Sequence, residues 1–227
     1  MSELQNNLTA LLAAREKAAN ENKRCANNIL LLAVSKKQPS AAIREFYGAG
    51  LTAFGENYVQ EALDKQEELK DLEIDWHFIG PIQSNKTRDI ANAFSWVHSV
   101  DRAKIAQRLA AQRKADLPPL NVCVQVNLSG EDSKSGVALA EVEALCRLIS
   151  TLPTLRLRGL MAIPEALASY EQQRACFAPL KAEFVRLQSQ FPSLDTLSIG
   201  MSGDFEAAIA EGSTLVRIGT ALFGQRR

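Results

Sequence analysis

Eight runs of apolar and β-branched residues recur along this 227-residue chain, and between successive runs the apolar residues fall back to helical spacing. The runs are ILLLAVS, LTAFGEN, DWHFIG, SWVHSVD, LNVCVQVNL, RLRGLMAI, TLSIGM and TLVRIGTALFG, starting at residues 29, 51, 75, 95, 120, 156, 196 and 214. A near-continuous apolar run such as LNVCVQVNL suits a strand covered on both faces, as in a parallel sheet wrapped by helices. The segments between carry helix signals. Ser2 and Gln5 make a capping-box pattern ahead of Leu4, Leu8, Leu11 and Leu12, which predicts an amphipathic helix over residues 3–24. Ser40 is placed to cap a short helix carrying Ile43, Phe46 and Tyr47, and Gly48 and Gly50 to end it. Asp101 is placed to cap a helix over 102–116. Phe177, Leu180, Phe184, Leu187 and Phe191 form the strongest helical stripe, a core-packing face rather than a groove.

Eight βα units in a chain of this length are what a closed barrel requires. The rival, an open doubly wound sheet, would favour a glycine-rich phosphate loop after the first strand, where this chain has VSKKQPS. The expected fold is therefore a single-domain (β/α)8 TIM-type barrel over 28–227 with an extra N-terminal helix within 1–27. The last run reads as strand almost to the end, with only GQRR beyond it. The extra helix is thus expected to cover the gap left by a missing final helix.

Charge excludes several partners. Lys plus Arg and Asp plus Glu number 26 each, so no basic excess draws nucleic acid or an anionic membrane. The N-terminal stretch has no early basic region, and no eighteen apolar residues follow one another, which reads as a cytoplasmic protein. Cys25, Cys123, Cys146 and Cys176 lie far apart without C-x-x-C spacing, so they read as reduced, mostly core-filling thiols. With two histidines and scattered acids no metal site is legible.

Barrels place their chemistry at the C-terminal strand ends. There the sequence sets Lys36, Glu56–Tyr58, Pro81–Lys86, SGEDSKSG, Met161–Pro164, Gly200–Gly203, and Gly219 with Thr220. A lysine in an apolar surround loses its proton more readily and becomes a nucleophile. Glycines after strands seven and eight let backbone N–H groups approach a phosphate. Asp204 opposes that reading unless it turns away to cap the following helix; Arg217 could compensate. A lysine and a phosphate cradle in one mouth fit a Schiff-base sugar-phosphate aldolase or a site for pyridoxal 5′-phosphate (PLP).

AVSKKQP, FGENYVQE, WHFIGPIQSNK, DSKSG, RGLMAIP, LSIGMSGDFEAAI and STLVRIGTALFG, in that order, resemble the successive motifs of the pyridoxal-phosphate homeostasis family, single-domain relatives of the alanine racemase barrel. The resemblance spans nearly all of residues 29–224. It implies that Lys36 carries PLP as an aldimine, that Asn57 lines the cofactor ring, and that Ser202, Arg217, Gly219 and Thr220 contact phosphate and ring, flanked by Met201 and Ile218. Lys37 is expected to face solvent. Whether Arg217 meets the phosphate or the pyridine nitrogen stays open at this point. The distinction matters because a cation at that nitrogen disfavours its protonation and weakens the ring as an electron sink.

His77 and His98, inside expected strands, read as packed and hydrogen-bonded rather than catalytic. Lys86 and Lys134 read as solvated loop lysines, with Lys134 a candidate to hold or pass on the cofactor aldehyde. The implied function is a carrier with no catalytic residue, holding PLP for intracellular vitamin B6 balance and amino-acid metabolism. Its partners are PLP and apo PLP enzymes as acceptors; it is expected to be a monomer. The alternative is a PLP-dependent amino-acid racemase, which needs a second base, and Tyr58 is the one tyrosine near the mouth.

Overall fold

The structure, a computed structural model, describes residues 2–129 and 135–224. The eight expected strands form: β1 (Leu30–Val34), β2 (Ala53–Glu56), β3 (Asp75–Phe78), β4 (Trp96–Val100), β5 (Leu120–Gln125), β6 (Leu155–Met161), β7 (Thr196–Ser198) and β8 (Leu215–Ile218). Each pairs in parallel with the next, and β8 returns to β1 with Leu30 opposite Leu215 and Leu32 opposite Arg217, so the barrel is closed. Around it lie α1 (Glu3–Glu21), α2 (Ser40–Gly48), α3 (Val59–Glu68), α4 (Thr87–Ala93), α5 (Ala103–Gln112), α6 (Val142–Ser150), α7 (Tyr170–Gln188), α8 (Phe205–Ala210) and α9 (Thr220–Phe223).

Three local expectations change. The last run divides, because the chain turns at Gly219 and Thr220–Phe223 wind into one helical turn. A short final helix therefore exists, and α1 packs on it and on α8: Asn7 Nδ2 donates to the Leu222 carbonyl at 3.0 Å. Phe223 in turn meets Phe46 of α2 edge to face, with centroids 5.0 Å apart. Ser40 does not cap α2. It is the first helical residue, and Pro39, with φ −70°, sets the entry angle. Nor does Asp101 cap α5, because its carboxylate is taken by the Arg102 guanidinium at 2.6 Å. The Ser2–Gln5 capping box is formed as expected.

Alternation along each strand sorts the side chains into two layers. The outer layer, between barrel and helices, holds most of the apolar residues, among them Ile43, Phe46, Phe54, Phe78, Leu109 and the Phe177–Leu187 stripe of α7. The barrel interior is different. Leu32, Ala53, Ile79 and Leu215 form a small apolar group there, and His77, His98, Ser198 and Arg217 are buried and joined by hydrogen bonds. At Gly159 of β6 a Cβ would fall 1.6 Å from the Thr196 carbonyl oxygen of β7, so this approach of the two strands admits glycine alone.

Candidate functional site

The C-terminal ends of β1, β2, β7 and β8 surround a cavity of about 330 Å³. Lys36, Asn57, Met201, Ser202, Arg217, Gly219 and Thr220 line it, so seven of the eight residues singled out in the sequence meet in one place. Ile218 does not join them. It follows Arg217 on β8, and the period-two alternation that turns Arg217 inward turns Ile218 outward, into the layer under the helices. Val34, Gln38, Ile79, Ile163, Gly203 and Gly224 complete the lining. Ile79 could have been found by the same alternation from His77; Ile163 stood in the strand-end group Met161–Pro164, while Gln38 and Gly224 lay inside the quoted motifs with nothing to single them out.

The turn after β7 is built on Gly200, whose φ of +97° and crowded surroundings, with a Cβ falling 2.7 Å from that of Ala208, exclude a side chain. The chain then folds over itself. The Met201 N–H donates to Asp204 Oδ1 at 2.6 Å, so Asp204 closes this turn instead of capping α8. Burial raises the pKa of that carboxyl. Ser202 Oγ accepts from the Ala221 N–H at 3.2 Å, tying the β7 turn to the β8 turn. Gly203 has no atom within 4 Å of where a Cβ would stand, and at Gly219 the nearest is 3.6 Å away. Both glycines thus present bare backbone to the cavity.

Arg217 comes from within β8 and is only 3% exposed. Its Nη1 donates to the Ser198 carbonyl at 2.6 Å and to Ser198 Oγ at 2.7 Å, and its Nη2 to the Ala162 carbonyl at 2.9 Å. Burial lowers its pKa to about 10, which leaves it cationic at neutral pH. Across the cavity, Asn57 Oδ1 is buried without a hydrogen-bond partner. Gly80 holds Asn57 close, since a Cβ there would lie 2.2 Å from the Asn57 carbonyl oxygen.

Behind Lys36 lies a charged network the sequence reading missed. Lys65 Nζ donates to the Ser35 carbonyl at 2.7 Å, to Glu56 Oε1 at 2.7 Å and to Glu61 Oε1 at 2.6 Å. Ser35 Oγ also donates to Glu56 Oε1, at 2.7 Å. The three donors of an ammonium are matched to three acceptors, as a buried lysine requires. Burial nevertheless raises the pKa of Glu56, against the pull of Lys65 and Ser35, and its Oε2 has no partner. The Glu61–Lys65 spacing of four was legible; the burial was not. Lys37 is exposed with φ 60°, and its backbone N–H donates to Glu61.

Other expectations fall elsewhere. Tyr58 is 49% exposed and lines, with Lys86, a neighbouring cleft of about 210 Å³ that shares Asn57 with the main cavity. Lys134 lies outside the described residues. His77 and His98 are buried and hydrogen-bonded to each other at 2.9 Å. Cys123 and Cys146 are core thiols, with burial pushing Cys146 up to about 12, but Cys25 is exposed rather than core-filling. Among the described residues no helix is long and apolar enough to cross a membrane, and no group of three potential ligands could hold a metal ion.

Residues 11–227 match the family described as alanine racemase, N-terminal domain. A Pseudomonas aeruginosa protein named pyridoxal phosphate homeostasis protein is 59% identical over 226 residues, covering 100% of this chain and 97% of that one. An Escherichia coli (strain K12) protein of the same name is 50% identical over 229 residues, covering 100% and 98%. Among solved structures, PipY of Synechococcus elongatus with PLP bound superposes with a TM-score of 0.81 at 40% identity, covering 93% of this chain and 100% of PipY.

Proposed function

The chain belongs to the pyridoxal phosphate homeostasis proteins of the alanine racemase N-terminal domain family, and from that premise we propose that it binds PLP in the β1–β2–β7–β8 cavity and holds it covalently on Lys36. The observation that carries this reading is the convergence of Lys36, a glycine-backed turn pair and Arg217 on one cavity. A volume of about 330 Å³ sits at the small end of ligand sites, in keeping with a compact cofactor. The residues fit the group. Ser202, Gly203, Gly219 and Thr220 would hold the phosphate with hydroxyls and backbone N–H groups, and Lys36 Nζ would add to the aldehyde carbonyl, with loss of one water, to give an imine. The unpartnered Asn57 Oδ1 is free to accept from a ring hydroxyl. Arg217 belongs to the ring rather than the phosphate, because it emerges inside the barrel and its fork is anchored on β6–β7 carbonyls below the strand-end turns.

PLP supplies an electrophilic ring when bound; catalysis with it also needs positioned bases on both faces of a substrate α-carbon. Lys36 is one such base. Tyr58 opens into the neighbouring cleft with Lys86, which favours sequestration of PLP over racemisation. On this reading the protein is a cytoplasmic monomer that releases PLP to apo-enzymes. The test is the visible absorption of the purified protein before and after borohydride, with a peptide map. The expected result is a pyridoxyl group on Lys36 and no colour in Lys36→Ala; a label on Lys37 alone overturns the assignment. Rapid α-deuterium exchange on any amino acid, lost in both Lys36→Ala and Tyr58→Phe, would establish the racemase instead.

A further inference from the structure

The chain has two histidines, and both stand inside the barrel in one line of hydrogen bonds. His77 Nε2 is 3.2 Å from Asp75 Oδ2, His77 Nδ1 is 2.9 Å from His98 Nε2, and His98 Nδ1 is 2.9 Å from Ser198 Oγ. Ser198 Oγ is the atom that accepts from Arg217 at the inner wall of the cavity. The hydrogens are fixed from the Asp75 end, and the Ser198 end is compatible with the same order. A guanidinium only donates, so Ser198 Oγ accepts from Arg217 and keeps its own hydrogen available for His98 Nδ1. His98 then carries its hydrogen on Nε2 and donates to His77 Nδ1, which leaves His77 donating from Nε2 to Asp75. At that end a carboxylate only accepts, which demands the same order. Two neutral rings satisfy every contact in one sense, and the reverse sense sets acceptor against acceptor at Asp75.

The surroundings hold the line in place. Trp96 stacks on His77 with centroids 5.3 Å apart and ring planes 4° from parallel, and the Arg158 guanidinium lies 4.5 Å over Trp96. Ser95 donates to the other oxygen of Asp75. His98 is fully buried, with desolvation foremost and the Arg217 charge beside it opposing its protonation.

We propose that His98 is a positioning residue for Arg217: by taking the Ser198 hydroxyl hydrogen it fixes that rotor as an acceptor, and so helps set the guanidinium at the ring end of the cavity from within the barrel. The functional consequence rests on the PLP-binding reading; the hydrogen-bond order does not. Of the three contacts anchoring the fork, the one to Ser198 Oγ alone depends on a rotatable hydroxyl. Without an acceptor at His98 Nδ1 that hydroxyl is free to turn, and Arg217 loses one of its three anchors while the two carbonyls still hold it.

Two measurements test this. Nitrogen-15 imidazole spectra of the protein free of PLP should show two neutral rings, each with its hydrogen on Nε2; a hydrogen on His98 Nδ1, or a doubly protonated ring at neutral pH, overturns the relay. The second uses His98→Asn and His98→Gln. Asparagine places its amide near the Nδ1 position and can still accept from Ser198, whereas glutamine reaches towards His77 and leaves Ser198 without an acceptor. PLP affinity should weaken about fivefold in His98→Gln, with a shifted visible band, and stay within about twofold in His98→Asn, the difference of one hydrogen bond. Equal losses in both, or an unmoved band in His98→Gln, sink the positioning role. Should His98→Gln fail to fold, Ser198→Ala must show the band shift instead. A wild-type protein that takes up no PLP refutes the cofactor reading, and the imidazole spectra still decide the relay.

Discussion

Two buried polar networks flank the cavity and solve the same problem in opposite ways. The Lys65–Glu56–Glu61–Ser35 cluster, behind Lys36, neutralises charge with charge. The Asp75–His77–His98–Ser198–Arg217 line, inside the barrel, links charged ends through neutral rings and a hydroxyl. The first is held by Coulomb attraction and tolerates small changes of angle. The second is directional, and each member depends on which hydrogen its neighbour carries. A buried ionic cluster fixes the backbone at Ser35, one residue before Lys36, whereas a tautomeric line fixes the side chain of Arg217.

The largest expected effect separates them by mutation. Lys65→Met leaves Glu56 buried and uncompensated, so unfolding in urea should show a loss of about 3–5 kcal/mol, and adding Glu56→Leu should recover most of it. A single variant as stable as the double would mean that charge does not hold this cluster. Ser198→Ala, which leaves the His98 Nδ1 acceptor without a donor, should cost about 1–3 kcal/mol.

The two networks should also respond to pH with opposite sign. Glu56 has a folded pKa raised above its ordinary 4.5 by burial, so the folded state holds its proton more tightly and stability falls as pH rises through the window above 4.5. His98 is depressed well below 6.5, chiefly by burial, so its contribution is complete above 6.5 and is lost as pH falls below that value. Stability curves of Glu56→Gln and His98→Asn against pH, each subtracted from wild type, should slope in opposite directions; parallel slopes would remove the distinction. The smallest effect is a control outside both networks. Lys37→Asn suits the positive φ at that exposed position and should change stability by no more than about 0.5 kcal/mol, with the PLP band unchanged.

Strand order and barrel closure were legible in the sequence because alternating periodicity is a repeated signal, and Lys36 because a strand-end position and a run of motifs agree on it. Ile218 falls outside the lining because a motif quotes neighbours together while a strand sends them to opposite faces. Lys65 follows Glu61 by four residues, a spacing ordinary for surface helix pairs, and only the fold brings Glu56 and the Ser35 carbonyl onto it. The histidines were expected to be packed and bonded, which they are, but Ser198 stands 100 residues from His98 and no local pattern joins them. The final helical turn was hidden because TALFG has the apolar content of a strand continuing, and Gly219 alone marks the bend.

The contact of α1 with α9 bears on how the protein is made. Asn7 and Leu222 stand 215 positions apart, and β1 must wait for β8 before its second edge is paired. At about 5–20 residues per second, a ribosome needs roughly ten to forty seconds between making the two partners. Throughout that interval LLLAV is an open, apolar strand edge, the kind of template on which nascent chains stick to one another. A barrel that closes last at its first strand therefore needs that edge shielded until its final strand has been made.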